Sequence, residues 1–431
     1  MNVMETCQLV KSASLKLAAA SCQEKNNALV HIAKVLIEHK DEIFSANQED
    51  LRRSEADNIA SPLLKRLKFD EVKLSEVIDG IYSLIQLEDP VGKTLLSTEL
   101  DEGLELYKVT CPIGAIGIIF ESRPDALVQI STLCLKSGNG VLLKGGSEAR
   151  ETNKILARLI ISASEAAGMP KGWCALLETR SDISELLKQD KNVDLIIPRG
   201  SNEFVRYIMN NTNIPVMGHA DGICHCFIDS SADIDMAVRI SIDSKTQYAA
   251  VCNAMETLLI HKDAARAFLP LFYKEAEEKR LELFGCRETL TVIPVTPAAE
   301  EDWKTEYLDY KLSIKVVNSL DDAIDHINTY GSGHTDSIVT KDTEHAARFM
   351  SLVDSGNVFW NCSTRFSDGF KYGFGAEVGI STGKLHARGP VGLEGLVIYK
   401  YNLIGNGQIV ADYAAKKSSF KHRTLKKGFP L

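Results

Sequence analysis

No apolar run in this chain approaches the roughly 18 residues that a membrane-spanning helix needs, so none is expected. Positive charge is short as well: 49 Lys and Arg stand against 58 Asp and Glu, a net charge of −9. No basic block occurs before the short tail that holds Lys416, Lys417, Lys421, Lys426 and Lys427, which argues against a nucleic-acid surface. Met1 to Lys16 lacks the basic-then-apolar layout of a signal peptide, which leaves the cytoplasm as the expected compartment. A disulfide framework is also missing, because most of the ten cysteines are scattered singly between Cys7 and Cys362 and read as reduced thiols. The one cluster, Cys224-His225-Cys226, has no second Cys or His pair at zinc spacing, and neighbours on a strand point to opposite faces, so no metal is expected.

With 431 residues, 45% of them hydrophobic and 25% charged, the chain is long enough for two or three globular domains. Residues 1 to about 90 read as helical, with Leu15, Ala18 and Ala19, then Leu29, Ile32, Ala33, Leu36 and Ile37, at three-to-four spacing. Ser61-Pro62 marks a further helix start. Leu104 to Val109 alternates as a half-exposed strand after the turn Asp101-Glu102-Gly103.

From there the pattern alternates. Short apolar runs at Ile116–Phe120, Gly140–Lys144, Trp173–Leu177 and Val193–Ile197 are separated by helical stretches at Asp125–Ser137, Glu148–Ala167, Asp182–Lys188 and Asn202–Met209. Such alternation predicts a parallel sheet covered on both faces. Ligands of such sheets bind at the carboxyl ends of strands. Here those ends are Lys144-Gly145-Gly146-Ser147 and Pro198-Arg199-Gly200-Ser201, whose glycines and backbone N–H groups at a helix entrance suit phosphate. G-x-G-x-x-G does not follow the first strand, so a dinucleotide would not use the ordinary Rossmann turn.

A second α/β unit follows: a strand to Ile228, a helix to about Ile242, and strands at Thr257–His261, Thr289–Val295, Leu312–Val317, Asp336–Thr340 and Asn357–Trp360. Helices are expected at Lys262–Arg280, Leu320–Tyr330 and Glu344–Val353. Asn361 to Pro390 is Gly-rich with little periodicity, the style of a functional loop, and the basic tail after the strand-like Gly395–Tyr401 reads as solvated. Between helix and strand stands Lys245-Thr246-Gln247-Tyr248-Ala249-Ala250-Val251-Cys252-Asn253-Ala254, one thiol among small residues. Taken alone, Cys252 reads as a small buried hydrophobe, the ordinary fate of a free cysteine. A thiol on a small-residue turn is also open to a carbonyl carbon, with backbone N–H groups at hand for an oxyanion.

Several stretches together resemble the aldehyde dehydrogenase superfamily over essentially the whole chain. They are Pro112-Ile113-Gly114-Ala115-Ile116-Gly117, Phe120-Glu121-Ser122-Arg123-Pro124-Asp125, Lys136-Ser137-Gly138-Asn139, Arg199-Gly200-Ser201 and Cys252-Asn253-Ala254-Met255-Glu256-Thr257. Gly375 through Thr382 and His386-Ala387-Arg388-Gly389-Pro390 complete the set. The resemblance implies an α/β fold of two parallel-sheet domains plus a small β oligomerisation arm, and a homo-oligomer. By position, the cofactor domain is residues 1–96 and 119–228, the arm and tail 97–118 and 393–431, and the catalytic domain 229–392.

It further implies Cys252 as nucleophile, Lys144 on the adenosine ribose, Gly200 and Ser201 under the pyrophosphate and Glu306 on the nicotinamide ribose. Relatives that hydrolyse carry a glutamate near position 218; here Gly218 stands beside His219, so a thioester would be kept for hydride. Ser147 replaces the glutamate that NAD-preferring relatives place three residues after the lysine, which favours NADPH. The branch that these motifs resemble reduces L-glutamyl 5-phosphate to the semialdehyde, the second step of proline biosynthesis from glutamate, in functional coupling with a glutamate kinase. For that substrate, Arg123, Arg365 and Arg388 are the candidate cations, Glu377 the partner of the α-ammonium, and Ser381 and Thr382 donors to the carboxylate. Near the oxyanion, Ser122 and Asn253 accompany the Cys252 N–H, and the second donor stays open. An acyl-CoA substrate and a catalytically silent binding protein of the same fold remain as alternatives.

Overall fold

A computed structural model describes residues 1–59, 61–121, 123–218 and 221–430. Asn2 and Ser21 each close a capping box with the glutamate three residues on, which starts the helices Val3–Leu17 and Cys22–Glu38. Lys40–Ala56, Ser61–Leu67 and Glu71–Gln86 continue the helical layer. The second helix buries Leu29, Ile32, Ala33 and Leu36, as its period predicts, but leaves Ile37 at 47% exposure. The first departs from expectation: Cys7, Val10, Ala13 and Leu17 are its buried face, and Leu15 is 70% exposed. That helix ends at Leu17, so a stripe counted on to Ala18 and Ala19 has no further turn to lie on.

The cofactor-side sheet has four parallel strands in the order Cys174–Leu176, Gly140–Lys144, Ala115–Phe120, Leu195–Arg199. Ala115 to Ile118 thus belong to this sheet and not to the arm, whose strand stops at Pro112. Ile116 and Ile118 are fully buried among the helices, and that core fixes their allegiance.

Seven parallel strands make the catalytic sheet, with Cys224–Ile228 between Met255–His261 and Thr335–Val339. The domain boundary therefore falls before Cys224, not at 228. Cys224, His225 and Cys226 are all buried on this strand, and His225 pairs with Asp336 at 2.8 Å. The expected strand at Thr289–Val295 is instead the short helix Arg287–Leu290 and a loop. Glu282–Gly285 takes the place beside Lys311–Val317, because that is where backbone donors meet an open ladder.

Where the resemblance implies an arm, an antiparallel sheet stands in which Val397–Ile404 and Thr94–Asp101 flank Leu104–Pro112. The basic tail is solvent-exposed, as expected, but its backbone is tied to this sheet. Arg423 and Thr424 pair with Glu99 and Thr98, and the Leu425 N–H donates to the Ser97 carbonyl at 2.9 Å. The Gly-rich stretch forms the hairpin Gly379–Ser381 with Gly389–Val391, and Val378, Val391, Leu393 and Leu396 carry it into the cofactor-side core. This return brings Glu377 over the strand ends of the four-stranded sheet. No helix among the described residues is long and apolar enough to cross a membrane.

Candidate active site

Cys252 lies on the turn between the helix Ile234–Thr246 and the strand Met255–His261, held at 3.0 Å by the Ala254 N–H on the Val251 carbonyl. Neighbouring groups grip the turn from three sides. Thr364 Oγ1 donates to the Asn253 carbonyl at 2.8 Å, Asn253 Nδ2 donates to the Ser367 carbonyl at 2.8 Å, and Cys224 Sγ donates to the Cys252 carbonyl at 3.2 Å. Gly222 passes so near that only a residue without a side chain fits against the Cys252 backbone. Beneath the turn, Lys245 Nζ meets Glu256 Oε2 at 2.5 Å with both side chains fully buried. Burial holds the ammonium down and pushes the carboxyl up to about 7.

The thiol's residue lines a cavity of about 680 Å³ whose walls include Arg123, Arg199, Gly200, Ser201, Gly218, Glu306 and Glu377. A second hollow of about 810 Å³ holds Lys144, Gly145, Gly146 and Ser147, and Leu63 and Glu121 line both. The two form one cleft along the carboxyl ends of the four-stranded sheet. Ser201 accepts from the Phe204 N–H as N-cap of the helix Asn202–Asn210, so a positive helix end stands at the junction.

The aldehyde dehydrogenase family model matches residues 1–309 and 289–379. The γ-glutamyl phosphate reductase of Acetivibrio thermocellus is 72% identical over 431 residues, which is 100% of both chains. That of Pelotomaculum thermopropionicum is 69% identical over 431 residues, 100% of this chain and 99% of that one. Among solved structures, the γ-glutamyl phosphate reductase of Thermotoga maritima is similar at TM-score 0.93 and 40% identity, with 95% of this chain and 100% of that one covered. This chain belongs to the aldehyde dehydrogenase family, in its γ-glutamyl phosphate reductase branch.

The residues expected from this family resemblance divide by place. Cys252, Gly200, Ser201, Glu306, Arg123 and Glu377 face one cavity, and Lys144 and Ser147 face the other. Glu306 is oriented by Asn202, whose Nδ2 donates to Glu306 Oε2 at 2.6 Å and to Asp221 Oδ1 at 2.9 Å, while Arg206 pairs with that aspartate. Glu377 Oε2 accepts from the Gly369 N–H at 2.8 Å. Arg123 is bound to the nearly buried Asp125 at 2.9 Å.

Others stand back from the cavity wall. Arg388 is tied to Asp354 at 3.2 Å and to the Thr382 carbonyl at 3.3 Å, and Ser381 is buried in the hairpin. None of Arg388, Ser381 and Thr382 is in the cavity lining. Asn253 Nδ2 gives one of its two N–H groups to the Ser367 carbonyl, and its Oδ1 is buried without a partner among the described residues. Arg365 donates from Nε to Gln247 at 2.9 Å; burial holds its pKa down and the nearby Cys252 opposes this. Ser122 and His219 lie outside the described residues.

Sequence reading missed Asn202, Gly222 and the pairing of Lys245 with Glu256, and it named Glu121 only within the Glu121-Ser122-Arg123 stretch. Burial first, then the neighbouring Glu148, raises the Glu121 carboxyl, and the Ser201 N–H acts against them. Only Asn202 had a local signal, since it opens a helix directly after a capping serine. For the others the partner is distant in sequence or the residue type is unremarkable.

Proposed function

We propose that the chain reduces L-glutamyl 5-phosphate to L-glutamate 5-semialdehyde with NADPH and releases phosphate, as a cytoplasmic enzyme of proline biosynthesis. The observation that carries this is Cys252 on a braced turn in a cleft where position 218 is glycine. Cys252 Sγ, as thiolate, attacks the acyl carbon. The carbon–oxygen bond to phosphate breaks, the phosphate leaves with the electron pair, and a thioester remains on the sulfur. The Cys252 backbone N–H is the donor that stays available to the oxyanion.

The cleft fits a dinucleotide. The helix N-terminus behind Gly200 and Ser201 suits a pyrophosphate, Lys144 and Ser147 suit an adenosine ribose bearing a 2′-phosphate, and Glu306 suits the nicotinamide ribose. A reduced nicotinamide held there would supply the hydride. Cys252 then departs as thiolate and frees the aldehyde. Gly218 offers no base to draw a water onto the thioester. Arg123 and Arg365 lend positive charge to a doubly anionic substrate, and Glu377 lends negative charge for its ammonium group.

A second copy of the chain fits the arm. Its edge strand Val397–Ile404 exposes Tyr401 at 59% and Leu403 at 56%, apolar area that a partner would cover. Functional coupling to a glutamate kinase follows from the lability of the acyl phosphate.

The test runs the reaction backwards, with glutamate 5-semialdehyde and NADP. Reduction of NADP should need phosphate, should not accept CoA in its place, and should vanish in Cys252→Ala. Activity that survives this substitution, or that prefers CoA, would sink the reading.

A further inference from the structure

Arg199 ends the strand Leu195–Arg199, one residue before the glycine turn that leads into the helix Asn202–Asn210. It lines the same cavity as Cys252, yet it stands on the opposite sheet. The arginines around the cleft differ in what they already hold. Arg123 is ion-paired with Asp125, Arg388 with Asp354, and Arg365 is steered by Gln247. Arg66 lines the cavity too, but it is exposed on the short helix Ser61–Leu67.

The Arg199 guanidinium makes no hydrogen bond or ion pair with any of the described residues, although the residue is half-buried in the cleft wall. An unpaired cation withdrawn from water is costly unless something anionic arrives. Burial and then the charge of Arg123 hold its pKa down, whereas Glu377 and Cys252 favour the charged form, which places all four around one space. A planar guanidinium is the side chain that binds phosphate bidentately.

We infer that Arg199 is the anchor of the departing phosphate: it binds the phosphoryl oxygens of the acyl phosphate across the cavity from Cys252 and takes up the charge that develops as the carbon–oxygen bond breaks. This rests on the acyl-phosphate reading above. The cation transfers no proton and forms no bond. Its contribution is to orient the leaving group away from the attacking sulfur and to stabilise it more in the transition state than in the ground state. In reverse, the same site holds inorganic phosphate for attack on the thioester.

Stopped-flow reaction of semialdehyde with NADP separates the steps. Without phosphate, one equivalent of NADPH should form in a burst as the thioester accumulates; turnover then requires phosphate. In Arg199→Met, the burst and the KM for NADP should be kept, while kcat/KM for phosphate should fall about tenfold to a hundredfold. Arg199→Lys should recover part of the loss, and the burst itself shows that each variant is folded. An unchanged phosphate dependence overturns the inference. So does a lost burst with a raised KM for NADP, which would make Arg199 a ligand of the cofactor. A wild type with no phosphate-dependent turnover overturns the acyl-phosphate reading itself, and the inference with it.

Discussion

Gly222 lies against the backbone of Cys252, where a β-carbon would stand 2.6 Å from the Cys252 carbonyl carbon. The pair couples the entry to the strand Cys224–Ile228 with the turn that presents the thiol, and neither chain can shift alone. Gly222→Ala should therefore displace the sulfur and lower kcat on the order of a hundredfold, the usual cost of a misplacement near 1 Å. Binding at the hollow of Lys144 and Ser147, which lies on the four-stranded sheet, should be unchanged by fluorescence titration with NADP. A variant with normal kcat would show that the turn tolerates the shift.

Lys245 and Glu256 form a buried pair below the same turn, and Glu256 Oε1 also accepts from the Leu308 N–H at 3.3 Å. Leu308 lines the cavity two residues after Glu306, so the pair braces the turn and the segment that bears Glu306. Removing the ammonium in Lys245→Met leaves a buried carboxylate, and denaturant unfolding should report a loss of about 3–5 kcal/mol. Lys245→Met together with Glu256→Leu should be milder than the single change.

The Glu256 carboxyl, raised by burial from 4.5 to about 7, makes stability depend on pH. Between those values the folded state binds more protons than the unfolded state, so stability falls as pH rises through that window. At about 1.4 kcal/mol per unit of pKa, this amounts to roughly 3–4 kcal/mol at most. Unfolding free energies of the wild type and Glu256→Gln, measured from pH 5 to pH 8, should differ in slope in that direction. Parallel curves would remove Glu256 as the source.

Ser147 shares its hollow with Lys144 but also with Glu148 and Glu178, and Glu178 is drawn off by Lys154 at 3.1 Å. Ser147→Glu adds a carboxylate beside the place proposed for a 2′-phosphate. The kcat/KM for NADPH should drop about tenfold or more, with NADH affected less, since 1.4 kcal/mol of repulsion already gives a factor of ten. Equal loss with both cofactors would place the 2′-position elsewhere.

Gly218 faces the cavity with room beside it: a β-carbon there would meet nothing nearer than Pro198 at 3.6 Å. Gly218→Glu should admit a base near the thioester, and NADP reduction by semialdehyde should then proceed without phosphate to yield glutamate. Continued strict dependence on phosphate would mean that the carboxylate fails to reach a water.

Strand and helix alternation was legible in the sequence because each element writes its own period: the helix Leu320–Tyr330 and the strands Gly140–Lys144 and Asn357–Trp360 fall where the apolar pattern places them. The position of the two glycine loops at strand ends was legible too, since glycine and serine there act through local backbone. Cys252 took its meaning from the motif around it. What the chain could not disclose locally were the choices made by distant partners. Nothing local marks Glu282–Gly285 as a strand; it becomes one because Lys311–Val317 offers an open ladder, and the basic tail is ordered because Ser97 and Glu99 receive it. The partners of the arginines were decided in the same way. Composition makes Arg123, Arg199, Arg365 and Arg388 equal, and only the fold gives Asp125, Gln247 and Asp354 to three of them and leaves Arg199 facing the thiol. Backbone preference is a short-range property, whereas the pairing of a buried charge depends on which side chains the whole fold brings together.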